Sequence, residues 1–113
     1  MTSVQLRGVA IRADGPYPRP ERETIVPETV PVWVEYDRRK EIGTARLRCD
    51  EAGIWADVTA EDGSWRATCR YFSMSFRCGH LAGGPRVRLG EAIGLSLVAT
   101  NGDPELPPFV TVD

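Results

Sequence analysis

The chain has 113 residues and a formal net charge of -2, from 14 basic and 16 acidic side chains. This length suits a single domain with one hydrophobic core, and the acidic balance disfavours a nucleic-acid-binding protein. We see neither a signal peptide nor an apolar run long enough to span a membrane, and the three cysteines suit free thiols in a reducing compartment.

Short alternating runs of apolar and polar residues, separated by Gly, Pro and Asp, predict one mostly β domain over residues 1–113. We expect a small antiparallel β-barrel or sandwich without long helices. In residues 4–12 the parity of the apolar positions changes around Gly8, which favours a β-bulge. Residues 14–31 contain five prolines and are predicted to be an extended loop or arm, which either lies over the barrel or wraps a neighbouring subunit.

The remaining elements follow the same alternation. The clearest feature is a hairpin, because two alternating runs flank a short turn rich in Asp, Glu and Gly. A loop or short helical turn follows it, and a glycine-rich turn separates the last predicted strands. The predicted strands are 31–36, 42–49, 54–60, 68–78, 86–89, 92–100 and 108–112, with the helical turn at 61–67 and the glycine-rich turn at 79–85.

Three cysteines and the single histidine are the candidate metal ligands. Cys49, Cys69, Cys78 and His80 offer zinc three thiolates and an imidazole, but their spacing misses the usual ligand patterns. We therefore predict no metal and no cofactor. His80 is also the only histidine available as a general base, yet it falls in the predicted glycine-rich turn, where nothing would orient it.

Six short segments, taken in order, carry a resemblance to a known family. The most informative are an apolar strand that ends at Tyr36-Asp37, a strand that contains Ser73-Met74-Ser75, and a Ser-Leu-Val strand followed by a turn. Together they resemble the prohead (capsid maturation) protease family of tailed bacteriophages, whose β-barrel is related to that of the herpesvirus assembly proteases. The segments are residues 8–15, 30–37, 42–45, 53–56, 72–76 and 95–104.

The resemblance also implies which catalytic positions have changed. Ser73 falls on the family's nucleophile, but Tyr36 falls on its histidine and Gly94 on its acidic residue. Tyrosine is a poor general base at neutral pH because phenols stay protonated there. Loss of members of such a unit costs several orders of magnitude in rate. We therefore predict a degenerate site and a protein that is not an enzyme.

On this interpretation the chain is a non-catalytic bacteriophage virion protein, a head decoration or minor capsid protein that binds the major capsid protein. We expect it on the capsid surface after assembly in the host cytoplasm, with other virion proteins and further copies of itself as the remaining partners, and no nucleic acid or membrane. Aromatic and Arg side chains dominate interface hot spots, although core packing is the alternative for the tryptophans. The candidate contact residues are Tyr17, Arg19, Arg22, Trp33, Trp55 and Trp65.

Two alternatives stay open. The first is a small maturation serine protease with Ser73 as nucleophile and His80 as a relocated base. The second is a small zinc-binding or regulatory module that uses the three cysteines and His80.

Overall fold

A computed structural model of the chain describes residues 2–15, 26–80 and 88–112. These residues form a curled, seven-stranded half-barrel sheet and one short 3₁₀ helix, which confirms the predicted mostly β class. The strands are β1 (Ser3–Arg12), β2 (Thr29–Val34), β3 (Gly43–Asp50), β4 (Gly53–Glu61), β5 (Tyr71–His80), β6 (Arg88–Val98) and β7 (Val110–Thr111), and the 3₁₀ helix is Ser64–Ala67. Within the described part of the chain, no helix has the length and apolar character needed to cross a membrane.

The strand order in the sheet is β5-β6-β2-β3-β4-β1-β7. Neighbouring strands are antiparallel except β2 and β6, which run parallel. The parallel pair brings Trp33 opposite Ser96 and Val34 opposite Leu97. β6 lies between β2 and β5, and the same stretch of β6 pairs on its other edge with residues 72–74, near the start of β5.

The predicted central hairpin is confirmed. β3 and β4 pair from Gly43↔Ala60 to Asp50↔Gly53, with a two-residue turn between the strands. Gly53 has φ of +133°, a backbone conformation that residues with a Cβ rarely adopt. Along β4 the even-numbered residues from Ile54 to Ala60 are buried, as the alternation indicates.

A bulge interrupts β1, two residues after the predicted position. Val9 pairs with Trp55 and Ile11 with Ile54, which leaves Ala10 as the extra residue. Val9, Ala10 and Ile11 are all buried. The parity change in the sequence therefore had a real cause, but the extra residue is Ala10 rather than Gly8.

The glycine-rich turn was predicted too early in the chain. Gly79 and His80 continue β5 and pair with Leu89 and Arg88, so the two predicted strands 86–89 and 92–100 are one strand, β6. Within β6 the register shifts between the Ser75↔Gly94 and Phe76↔Ala92 pairs. The extra residue is Ile93, inside the predicted strand 92–100, so the predicted break at residues 90–91 has no counterpart in the structure. Residues 81–85 of the predicted turn lie outside the described residues.

The predicted arm, residues 14–31, is only partly within the described residues. Its last three residues begin β2 and pair with β3, so the extended arm ends earlier than predicted. Residues 16–25 lie outside the described residues, and with them the contact candidates Tyr17, Arg19 and Arg22.

The core fills the curl of the sheet where β1 approaches β5. Phe72 is 1% exposed, and its ring stacks on Phe109 with centroids 4.9 Å apart. Trp65 meets the same Phe109 ring edge-on at 6.4 Å. Burial of these rings supplies much of the apolar area that stabilises the fold. The other members include Leu6, Val32, Val58, Leu95 and Leu97.

Candidate active site

A tyrosine and a serine meet on the face of β5 opposite the core. The Tyr36 phenol oxygen lies 2.6 Å from Ser73 Oγ, and either group can donate the hydrogen bond. Tyr36 is 52% exposed, so this pair faces solvent. Two of the three positions that the family resemblance selected are therefore in direct contact, although they are 37 residues apart in the chain.

Ser96 supports this pair from β6. It lies directly opposite Ser73 in the β5–β6 register, and its Oγ accepts the Tyr36 backbone N–H at 3.2 Å. Ser96 is fully buried, and this hydrogen bond gives its hydroxyl a partner, as burial of a polar group requires. The sequence marked Ser96 only as part of a Ser-Leu-Val strand, and its role was missed.

The turn that carries Tyr36 is strained. Glu35 and Tyr36 have φ of 48° and 63°, consecutive left-handed residues that both carry a Cβ. Such a conformation costs roughly 1–2 kcal/mol per residue. Backbone strain of this kind persists only where the surroundings hold it, and it concentrates at functional sites.

Contacts to β6 hold the strained turn. The Glu35 N–H donates to Leu97 O at 3.0 Å, and the Glu35 carboxylate accepts the Ala99 N–H at 2.7 Å. The Asp37 N–H closes the turn on Val34 O at 3.0 Å. The sequence offered no signal for Glu35, since a glutamate in a turn usually faces solvent without a structural role.

Gly94, the position of the family's acidic residue, has no room for a side chain. A Cβ on Gly94 would overlap the six-membered ring of Trp33. That ring is 7% exposed, and the Arg38 guanidinium lies 5.2 Å from its centroid. An aromatic side chain therefore fills the space in which a third catalytic carboxylate would have to lie.

Asp37, the residue after Tyr36, binds Arg39 rather than the phenol. Its carboxylate accepts hydrogen bonds from Arg39 Nε at 2.9 Å and from the Arg39 backbone N–H at 3.1 Å. The Arg39 side chain, followed by its N–H, lowers the pKa of Asp37. Asp37 therefore stays ionised and bound to Arg39 rather than orienting the phenol.

A second polar cluster touches β5 from its other side. Asn101 Nδ2 donates to Phe72 O at 2.8 Å, one residue before Ser73. Asp103 donates its backbone N–H to Asn101 Oδ1 and binds Arg12 through both carboxylate oxygens, at 2.7 and 2.8 Å. Asp103 is only 4% exposed, and its bonds to Arg12 lower its pKa while raising that of Arg12.

Of the four candidate zinc ligands, Cys49 and Cys69 have described side chains, whereas the side chains of Cys78 and His80 lie outside what the structure describes. Cys49 is exposed at the end of β3, while Cys69 is buried before β5. Burial raises the pKa of the Cys69 thiol, whose Sγ donates to Leu97 O at 3.4 Å. Among the residues that the structure describes, no group of three or more His, Cys, Asp and Glu side chains is arranged to hold a metal ion.

His80 is too far along β5 to act on Ser73. The two residues are seven apart on one continuous strand, a separation of roughly 23 Å at about 3.3 Å per residue. The proposal of His80 as a relocated base is therefore wrong. The side chain that reaches Ser73 is the tyrosine.

The three tryptophans separate into two kinds. Trp33 and Trp65 are 7% and 6% exposed, so the prediction of them as contact residues is wrong and they are packing residues. Trp55 is half-buried on the outer face of β4. Its indole N–H donates to Asp50 at 2.9 Å, and Arg48 lies 4.9 Å from its ring centroid. Of the three, only Trp55 remains a candidate for contact with a partner.

No family model matches this sequence, and no curated protein matches it. The chain is similar to a solved structure of the protease of the herpesvirus KSHV in complex with a hexapeptide phosphonate inhibitor, with a TM-score of 0.73 at 14% sequence identity. The likeness covers 99% of this chain and 66% of that protease, so the chain spans just under two thirds of its length. The fold of this chain is therefore similar to that of a viral protease.

This likeness corrects one prediction and confirms part of another. The fold implied by the resemblance to viral maturation proteases is confirmed, while no phage family model matches. The prediction that the chain is not an enzyme is overturned, because the structure it resembles is a protease. The physical reason for the error is that Tyr36 was counted only as a lost histidine, whereas its phenol lies within hydrogen-bonding distance of Ser73.

Proposed function

We propose that this chain is a serine endopeptidase of a viral particle, in which Ser73 is the nucleophile and Tyr36 its proton acceptor. The observation that carries the proposal is the 2.6 Å contact between the two hydroxyl oxygens on a fold similar to that of a protease. A nucleophile and a base in a serine hydrolase must lie within about 2.6–3.2 Å of each other.

The reaction follows from this contact. The Tyr36 phenolate accepts the proton as Ser73 Oγ attacks the carbonyl carbon of the peptide bond. The phenol then gives that proton to the leaving amine, and the acyl group stays on Ser73 Oγ as an ester. Water hydrolyses the ester, with Tyr36 accepting a proton from the water and returning it to Ser73 Oγ, which restores the Ser73 hydroxyl and the Tyr36 phenolate.

The base sets the pH dependence. Phenols in general ionise in the alkaline range and accept a proton only when ionised, so a tyrosine base implies a rate that is higher at alkaline pH than at neutral pH. Asp37 is held by Arg39 and Gly94 has no side chain, so neither residue supplies the third group that orients the base in a triad. Turnover at neutral pH is therefore expected to be slow.

The position of the pair favours an extended polypeptide as the substrate. A cleft of about 450 Å³ lies nearby, lined by Val34, Asp37, Ile42 and Trp65 among others, but it includes neither Tyr36 nor Ser73. The pair instead lies on an open sheet face, which suits a chain laid across the surface better than a small enclosed molecule. The peptide inhibitor bound to the KSHV protease supports the same substrate class.

The proposed substrates are the scaffold or capsid chains of the particle with which the protein assembles. This part of the proposal rests on the order of segments that resemble the prohead proteases. Proteolysis during assembly needs few turnovers for each enzyme molecule, which is compatible with a slow base. The proposed location is the assembling particle in the host cytoplasm.

A covalent probe tests the nucleophile directly. The protein is incubated with a fluorescent peptidyl diphenyl phosphonate at pH 7 and pH 9.5, and the labelled residue is identified by mass spectrometry. We expect labelling of Ser73, faster at pH 9.5, and none in the Ser73→Ala variant. Ser75→Ala is the matched control, because Ser75 lies two residues along the same strand and should leave the labelling unchanged.

Two outcomes would reject the proposal. One is equal labelling of the wild type and Ser73→Ala. The other is the absence of a Ser73 adduct at pH 9.5 in protein that is shown by circular dichroism to be folded.

A further inference from the structure

Glu35 attaches the Tyr36 turn to β6 at two points. Its backbone N–H donates to Leu97 O at 3.0 Å, and its carboxylate accepts the N–H of Ala99 at 2.7 Å. Ala99 is the first residue beyond β6, which ends at Val98. The side chain therefore spans from the strained turn to the end of the neighbouring strand.

We propose that Glu35 is a positioning residue, whose carboxylate keeps the Glu35–Tyr36 turn in its left-handed conformation and so holds the phenol against Ser73. The effect on rate rests on the proposed function, whereas the effect on the position of the phenol does not. Glu35 acts through Tyr36 and contacts neither Ser73 nor the reacting atoms.

The residue type supports a role for the carboxylate. At φ of 48° the local backbone preference is for Gly, which has no Cβ to crowd the carbonyl oxygen, or for Asn, whose side chain can hydrogen-bond locally. A glutamate at this position gains the bond to Ala99, which is charge-assisted and so stronger than a neutral hydrogen bond. Neither Gly nor Asn has a side chain long enough to make the same two-point attachment.

Cys69 also lies close to the carboxylate oxygen that accepts the Ala99 N–H. Cys69 Sγ lies 4.0 Å from Glu35 Oε1, and its closer partner is Leu97 O at 3.4 Å. Glu35 is exposed overall, but its Oε1 has both the buried Cys69 thiol and the Ala99 N–H as neighbours. These neighbours restrict the rotamers of Glu35, which a positioning role requires.

Two substitutions of Glu35 and one control distinguish the role of the carboxylate from that of the backbone conformation. Glu35→Gly removes the side chain but suits the positive φ, Glu35→Gln keeps an acceptor oxygen without the charge, and Glu41→Ala removes an exposed glutamate of the next turn as the control. The measurements are the melting temperature, the Ser73-dependent release of p-nitrophenol from p-nitrophenyl acetate, and the NMR signal of ¹³Cζ-labelled Tyr36, assigned with Tyr36→Phe.

The proposal predicts that loss of the Glu35 side chain displaces the Tyr36 phenol without lowering the melting temperature. Glu35→Gly should melt at the wild-type temperature or above it, because glycine relieves the strain. Its p-nitrophenol release should nevertheless fall by about 100-fold, the effect of a small misplacement of a catalytic group, with kcat falling more than KM rises. Its Tyr36 signal should move toward that of a tyrosine whose hydroxyl is hydrogen-bonded to water alone. Glu35→Gln should keep most of the rate and Glu41→Ala all of it.

The opposite result overturns the proposal. If Glu35→Gly retains the wild-type rate and the wild-type Tyr36 signal, the backbone alone sets the position of the phenol. If wild type and Ser73→Ala release p-nitrophenol equally, the proposed function fails and the NMR signal decides alone. A Tyr36 signal that moves in Glu35→Gly then still supports the positioning role, and an unmoved signal rejects it.

Discussion

Two very different regions form hydrogen bonds to adjacent residues of strand β5. On the exposed side, the Tyr36 phenol meets the Ser73 hydroxyl. On the other side, Asn101 binds the Phe72 carbonyl and connects it to the Asp103–Arg12 ion pair. Tyr36 is 52% exposed whereas Asp103 is 4% exposed.

The two regions solve the problem of holding a turn in different ways. The turn after β2 takes a strained left-handed backbone, held in part by contacts to β6. The turn after β6 is shaped by its own side chains, since Asn101 Oδ1 and Asp103 Oδ1 accept the N–H groups of residues two positions on. Strain in the first turn indicates a functional demand, while the satisfied ion pair in the second indicates a structural one.

The difference leads to opposite expectations for mutants. Removal of a hydroxyl from the exposed pair should change chemistry and leave stability almost intact. Removal of a charge from the buried cluster should change stability and leave the hydroxyl pair in place. Three substitutions test this contrast, in order of decreasing effect.

The largest effect is expected from Tyr36→Phe, which removes only the phenol oxygen. The Ser73-dependent rate of p-nitrophenyl acetate cleavage should fall by about 10²- to 10⁴-fold, the usual contribution of a general base. The free energy of unfolding, measured in urea, should change by about 1 kcal/mol or less, as for one exposed hydrogen bond.

Two further variants sharpen this result. Tyr36→His should move the rise in rate toward neutral pH, because imidazole is unprotonated there and histidine tolerates a left-handed backbone better than most residues. Tyr71→Phe, at the start of the same strand, is the control and should behave as wild type. A full rate in Tyr36→Phe would break the contrast, since the exposed pair would then have no chemical role.

Phe72→Ala should damage both regions together. Phe72 carries the carbonyl that Asn101 binds, precedes Ser73, and buries a ring stacked on Phe109. The cavity should cost about 3–5 kcal/mol of unfolding free energy, measured by urea denaturation. Val110→Ala, at a residue that is 58% exposed, should cost about 0.5 kcal/mol or less. A Phe72→Ala variant as stable as Val110→Ala would mean that the curl of the sheet does not depend on this ring.

The smallest effect is the acid sensitivity of the buried ion pair. The pKa of Asp103 is lower in the folded protein than its ordinary value because of Arg12. Asp103 therefore stabilises the fold above the ordinary aspartate pKa of about 3.9, and this contribution is lost as the pH falls through the folded pKa. We expect the melting temperature of the wild type to fall on acidification below about pH 5, and less so in Asp103→Asn.

Asp37→Asn is the matched control for that measurement. Arg39 also lowers the pKa of Asp37, but the side chains of this pair are 91% and 44% exposed, against 22% and 2% for Arg12 and Asp103. Solvent screening makes exposed ion pairs weak. Asp37→Asn should therefore reduce the acid-induced fall in melting temperature less than Asp103→Asn does. An equal reduction of the acid-induced fall in melting temperature by both variants would contradict the distinction between the two regions.

Local patterns in the sequence predicted much of the fold. The β3–β4 hairpin, the bulge in β1 and the short helical turn after β4 all follow from periodicity and turn residues, which act over a few neighbours. The family resemblance also selected Tyr36 and Ser73, but it gave no information on the distance between their side chains. The sequence did not show that Trp33 fills the space beside Gly94 or that His80 lies seven residues from Ser73 on one continuous strand, because these facts depend on how Trp33 packs and on how far β5 continues.

By itself, the sequence determined the β class, the buried face of β4, and the residues most worth testing at the site. Only the tertiary structure decided that β2 pairs in parallel with β6, that Arg12 binds Asp103 from 91 residues away, and that the phenol reaches Ser73. Alternation is a property of adjacent residues, whereas these contacts arise when the sheet curls and brings distant strands together. The strained Glu35–Tyr36 turn has the same origin, because bonds from β6 hold a conformation that its own residue types disfavour.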